Sequence, residues 1–392
     1  MIKDIIKSFK IKELLLLLLL MCILIWVHGL GMVTMLALWC IFFIFVVPFE
    51  YYKGKLLPGI LLFTFLYSAF GLMNGFMTIP KLIGLILPMV LFYILGRFLV
   101  IRIRKPIHLI LLLILLLICY QLEVYTSFLD GYFSGFDSMN NQRVFYLGGD
   151  ENRALTATLV GLNISVSMVG LSSFIILKGY PKLRILCLVL FLMAVFTTTY
   201  LLNRTALVIS MITTLVVLSY FYRQNRIALI VIISSILLAL LLVYKVGWIS
   251  SDILVAYGER NFDLNTAGQR TTKWIDTFKE IFQHPFGWAY IQSSDNYYAH
   301  NMWLDIARVT GILPFLSLLF VSIQALLIQF RLIRIKKDYF VAVSIGLNVC
   351  FFLSCFVEPV YGGLHLFLWT MLWGMQEQYC ADTRKSLMLI QS

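Results

Sequence analysis

Runs of about twenty mostly apolar residues, most of them closed by a short polar turn, recur along this 392-residue chain. As a helix such a run is about 30 Å long, the thickness of a bilayer's hydrocarbon core. Composition points the same way: 61% of residues are hydrophobic and 13% charged, where a soluble domain carries about 25% charged residues. The expected fold is all-α, a polytopic integral membrane protein of about 12 transmembrane helices forming a single membrane domain over 1–392. The spans are expected at 14–28, 32–49, 56–74, 81–100, 107–122, 154–177, 185–202, 205–222, 227–246, 302–330, 339–357 and 364–376.

In this setting the net charge of +12 is a topology signal, and nucleic acid is set aside as a partner. With the N-terminus in the cytoplasm, seven segments come to lie inside: the N-terminal residues, "EYYKGK", "RFLVIRIRKPIH", "KGYPKLR", "YRQNR", "RLIRIKKD" and "DTRKS". Together they hold 21 of the 31 Lys and Arg, the asymmetry of the positive-inside rule. Both termini are then expected in the cytoplasm. The start, "MIKDIIKSFKIKELLLLLLLMCILIWVHGL", lacks a small-residue cleavage site and reads as a retained signal anchor. Six of the seven cysteines lie inside apolar runs, with no CxxC and no Cys/His pairing. They read as small packing residues rather than as disulfides or metal ligands.

This orientation leaves two long segments outside, 123–153 and 247–299, and loops of such length tend to be functional. The two halves of the chain show no internal repeat. Between Arg270 and Gln283 in the larger loop, Trp274, Ile275, Phe278, Ile281 and Phe282 follow the rhythm of an amphipathic helix, ended by His284-Pro285. It is expected along the outer membrane surface, with its aromatic face toward lipid or toward the bundle. "NTAGQR" would open it, where free backbone N–H groups, the helix dipole and Arg270 favour an anion. A surface helix with a solvated basic start explains the same pattern.

Depth gathers the scattered polar residues. About twenty residues outward from the cytoplasmic "YRQNR" is Asn203-Arg204-Thr205, and the same distance from Phe330 reaches Gly311. Asp305 and Arg308 are thus expected at the outer boundary, with His300 capping the helix above them and Glu358-Pro359 in the same layer. Asn301, Asp305 and Arg308 project within about 60° of one another on a helix. Asp305 and Arg308 can pair at i, i+3, and such a pair need do no more than fix the helix. Arg204 stands alone between two apolar runs, either snorkelling to a headgroup or serving a function. Two arginines suited to phosphate geometry and a histidine able to act as a base suggest chemistry on a phosphorylated lipid.

The successive elements "LLNRTALVISMITTLVVL", "GQRTTKWIDTFKEIFQHPFGWAY" and "YAHNMWLDIARVTGILPFLSLLF" resemble the O-antigen polymerase and O-antigen ligase superfamily, the Wzy and WaaL types. The matched region is roughly 195–320. It carries a polar-Arg-Thr element, R-x-x-x-W, a P-x-x-G-x-G-like turn and H-N-x-x-L, in that order. "HPFGWAY" departs from the turn by losing its second glycine. The resemblance implies a GT-C-like, metal-independent, inverting glycosyltransferase of the bacterial inner membrane that uses no cofactor, with its active site at the periplasmic face. Its donor would be an undecaprenyl-diphosphate-linked oligosaccharide, and it would work with a chain-length regulator and flippase of the same pathway. By motif, Arg204 and Arg270 would hold the diphosphate and His300 would be the base. Asn301, Asp305 and Arg308 would support them, and Arg260 and Lys273 would be further phosphate or sugar contacts.

Polymerase and ligase share the donor and differ in the acceptor, another repeat unit or the lipid A core. "AHNMWLDIARVTGI" is the more polymerase-like. A transporter or flippase for lipid-linked sugar is the alternative of another class, but transporters put polar residues at the midplane and show repeats.

Overall fold

The structure, a computed structural model, describes residues 2–25, 32–75, 78–133, 144–146, 154–201, 203–225, 264–288, 299–357 and 363–391, with 227, 230 and 234 as isolated helical positions. For some helical residues, Arg204 and 264–270 among them, only the backbone is described. The helices in chain order are α1 (Ile2–Lys7), α2 (Ile11–Ile25), α3 (Met32–Val46), α4 (Leu57–Met73), α5 (Ile79–Arg102), α6 (Pro106–Phe133), α7 (Ala157–Ser165), α8 (Gly170–Ile176), α9 (Pro181–Tyr200) and α10 (Arg204–Phe221). They continue with α11 (Leu264–Gln283), α12 (Met302–Thr310), α13 (Ile312–Ile335), α14 (Tyr339–Val357) and α15 (Leu364–Gln391). Two three-residue strands, β1 (Val144–Tyr146) and β2 (Ala154–Thr156), pair antiparallel. Proline opens α4, α5 and α9, where its missing N–H would have had no partner in any case.

Among the described residues, α6, α9, α13 and α14 are long and apolar enough to cross a membrane, and four apolar helices are shorter. Several expected spans differ from this picture: α6 runs eleven residues past the expected end at 122, into the first long loop, and α15 runs past 376 to Gln391. The run 154–177 is β2, α7, a 3-10 turn over Val166–Val169 and α8, because its serines and glycines give the backbone alternatives to one helix. The run 302–330 is two helices, α12 and α13, divided at Gly311. The expected run 227–246 lies almost wholly outside the described residues.

The chain forms two compact units. The first holds 1–123, 272–344 and 351–392. At its centre α5 and α15 pack backbone to backbone. A Cβ on Gly96 would stand 1.9 Å from the Met371 carbonyl oxygen, and one on Gly374 2.0 Å from that of Tyr93. Small residues bring membrane helices this close, where dispersion replaces the hydrophobic drive that lipid cannot supply. Glu377 of α15 accepts from the Lys55 N–H (2.7 Å), the Leu56 N–H (3.1 Å) and Tyr93 Oη (2.7 Å), so a carboxylate satisfies the orphan donors that open α4. Arg102 bonds Glu13 of α2 in the same unit.

α13 shows the other side of this packing. Leu313, Leu316, Phe320, Ile323, Leu327 and Phe330 are exposed along it at helical spacing, while Ser317, Leu318, Val321, Ala325 and Ile328 are buried. One full-length apolar stripe faces outward, as a helix bordering hydrocarbon requires.

The second unit, 124–271 with 345–350, centres on Val124, Tyr125, Phe128, Val160, Ile164 and Leu201. Within it, Thr213 Oγ1 lies 3.3 Å from Cys350 Sγ.

Candidate functional site

The polar cluster of the first unit is built around the start of α12. Asn301 is the N-cap, in extended conformation, and its side-chain oxygen accepts from the Leu304 N–H at 3.2 Å. Asp305, one turn into the helix, reaches back. One carboxylate oxygen accepts from the Ala299 N–H at 2.9 Å, the other from the Asn301 N–H at 3.2 Å. These are the reciprocal bonds of a capping box, with the acid one residue later than usual and a second backbone donor held as well.

His300 lies between those two N–H groups. Its φ is +54°, and among the described residues it is the one non-glycine residue with positive φ. A side chain in the left-handed region costs roughly 1–2 kcal/mol, and such positions persist only where their surroundings over-determine them. Here the Asp305 clamp supplies that surrounding, so His300 does not cap the helix as expected; it is the residue immediately ahead of the cap, Asn301. Its side chain is partly exposed.

Asp305 itself is wholly buried. Burial raises its pKa to about 6, against the opposing pull of the Ala299 and Asn301 N–H groups, Arg308 and His300. Arg308, also buried, brings Nε to 4.0 Å from Asp305 Oδ1. Asn301 Nδ2 donates to the Phe356 carbonyl of α14 at 3.2 Å. Asn301, Asp305 and Arg308 therefore form an interior frame, and it holds the partly exposed His300.

Two further contacts hold the frame. Trp274 of α11 donates from Nε1 to the Ala299 carbonyl at 2.6 Å and meets Phe356 edge-on at 4.9 Å, so the tryptophan of R-x-x-x-W grips the residue before His300. The "HPFGW" turn docks on the division between α12 and α13. Trp288 N–H donates to the Arg308 carbonyl (2.8 Å) and Ile312 N–H to that of Pro285 (2.9 Å). Asn74, the C-cap of α4, ties the carbonyls of Phe286 and Val309 together. Gly287 (φ +96°) and Gly311 (φ +88°) occupy left-handed positions here, and a Cβ on Gly311 would stand 2.1 Å from the Pro285 oxygen. A Cβ on Gly287 would stand 2.6 Å from the Val309 carbonyl oxygen, so the first glycine of the departing turn motif has a steric reason.

The other expected residues stand on other elements. Lys273 is on α11, partly exposed. Arg204 is the first residue of α10, after an N-cap Asn203 whose side chain accepts from the Ala206 N–H at 3.1 Å. Arg270 is in α11, whose start at Leu264 lies one residue before the expected opening "NTAGQR". Both arginines belong to the second unit, and their side chains, like Arg260 and Glu358-Pro359 entirely, lie outside the described residues. Sequence spacing did not reveal Trp274, Asn74, Gly287 and Gly311 as holders of the frame. The glycines were the available signal, each interrupting an otherwise bulky run. Among the described residues no group of three or more His, Cys, Asp or Glu could hold a metal ion.

Compared with protein-family models and with curated proteins, the chain matches none of them.

Proposed function

We propose that this chain is a twelve-span, GT-C-like membrane glycosyltransferase that polymerises undecaprenyl-diphosphate-linked repeat units into a surface polysaccharide at the outer face of the bacterial cytoplasmic membrane. The observation that carries the reading is His300: an imidazole held ahead of α12 in a left-handed conformation by a buried carboxylate. A conformation with an intrinsic cost, maintained by buried groups, is the signature of a side chain placed for use. The resemblance in the R-T, R-x-x-x-W and H-N-x-x-L elements supports the substrate class.

In this reading an imidazole nitrogen of His300 takes the proton of an acceptor sugar hydroxyl while its oxygen attacks the donor's anomeric carbon. The bond from that carbon to the phosphate oxygen breaks with inversion, and undecaprenyl diphosphate leaves. Arg204 and Arg270 stabilise the charge developing on the departing diphosphate, with Arg260 and Lys273 as further contacts. Asn301, Asp305 and Arg308 act through the posture of His300.

The test is the surface glycan of a deletion strain complemented with wild-type or His300→Ala chain. Deletion should leave a single repeat unit on the core, wild type should restore the ladder, and His300→Ala, present in the membrane at equal amount, should not. Bare core with accumulated lipid-linked polymer would identify a ligase instead. A full ladder with His300→Ala would refute the catalytic role.

A further inference from the structure

Helix α11 presents two apolar faces. Trp274, Thr277 and Ile281 share one, within about 60° at 100° per residue. Thr277 and Ile281 are buried there, Ile281 packs with Trp288 and Ala307, and Trp274 bonds Ala299. Ile275, Phe278 and Phe282 share the next arc, also about 60° wide, and they are exposed by 51%, 50% and 64%. Lys279 and Gln283, likewise exposed, begin the polar side. The bundle therefore takes one apolar face and leaves an aromatic one uncovered.

What covers the second face is indicated by its neighbours. Phe286, exposed just past the helix end, stacks on Phe70 of α4 at 5.8 Å. Beside Phe70, Leu72 and Met73 end the exposed apolar side of α4. Ile312, bonded to Pro285, opens α13, whose exposed stripe begins at Leu313 and runs to Phe330. The aromatic face thus adjoins the top of the same outward apolar surface that a spanning helix presents along its whole length. A helix with one polar side and adjoining apolar faces lies in the interface rather than across it.

We infer that Ile275, Phe278, Phe282 and Phe286 are seated in the acyl chains of the leaflet on the α12 side, and that α11, through Trp274 and Ala299, sets the height of His300 against that leaflet. The inference needs only a bilayer around this unit and stands apart from the sugar chemistry. The occupant is lipid, not a second copy of the chain, because the face is continuous with the stripe of α13.

The test uses the full chain carrying p-benzoylphenylalanine, an aromatic replacement, at position 278, 282 or 283, reconstituted in vesicles of phosphatidylethanolamine and phosphatidylglycerol and irradiated. Intact-mass spectra should show one added phospholipid at 278 and 282 in several-fold excess over 283. A crosslinked dimer at 278 and 282 would overturn the inference in favour of a second copy. Lipid adduct no greater at 278 and 282 than at 283, the water-facing control, would overturn it in favour of a solvated loop helix.

Discussion

α12 and α13 follow one another in a stretch that reads as one hydrophobic span, yet they are opposite kinds of helix. α12 is nine residues long and buried along nearly all of its length, with a carboxylate and a guanidinium inside it. α13 is 24 residues long, buried on one side and apolar and exposed on the other. Between them Gly311 takes a conformation that no side chain adopts comfortably. A helix bordered by lipid needs little more than apolar residues, because lipid is as apolar as its side chains. A helix that holds a residue in a costly conformation needs a satisfied polar interior. The contrast predicts unequal tolerance to substitution.

The largest effect is expected at Asp305. Asp305→Ala leaves Arg308 buried without its carboxylate and frees two backbone donors, a loss of about 3–5 kcal/mol, read as a lower melting midpoint in detergent and a loss of glycan ladder. Gly311→Val follows at about 3 kcal/mol, from positive φ and the Cβ approach to Pro285 together. The contrast would be broken if either variant melted like wild type.

The titration of Asp305 gives a third expectation. Its folded-state pKa is raised from 3.8 to about 6, so the folded chain binds the proton more tightly than the unfolded one. This group's contribution therefore favours folding at low pH and is lost as pH rises from about 4 to about 6, by about 3 kcal/mol at 1.36 kcal/mol per unit. Comparing wild type with Asp305→Asn in melts across that window isolates the contribution: the wild-type midpoint should fall relative to the variant's as pH rises. The smallest effect is expected on α13, where Phe320→Leu exchanges one apolar group facing hydrocarbon for another and should cost under about 1 kcal/mol. A cost there equal to that at Asp305 would show that the stripe packs against protein.

The contrast also marks how much could be read beforehand. Helical runs were legible because their signal is composition summed over twenty residues. The polar residues near 300 were legible because charge among apolar neighbours is conspicuous. The division at Gly311 was not, since a single glycine inside an apolar run, "VTGILPF", carries no mark of its φ. The spacing of Asn301, Asp305 and Arg308 suggested one helix face, but Asp305 reaches backward to the N–H groups of 299 and 301, bonds that depend on how the chain enters the helix. In the sequence Trp274 reads as part of an apolar face; its bond to Ala299 joins residues 25 apart and exists only through tertiary packing. The start of α11 at Leu264 was legible to within one residue, because "NTAGQR" marks the first turn of the amphipathic rhythm.

The most direct measurement is elongation by the purified chain in vesicles supplied with undecaprenyl-diphosphate-linked repeat units. The wild type should lengthen the glycan and release undecaprenyl diphosphate, and His300→Ala, with an unchanged melting midpoint, should do neither. Elongation at the wild-type rate by His300→Ala would contradict the account.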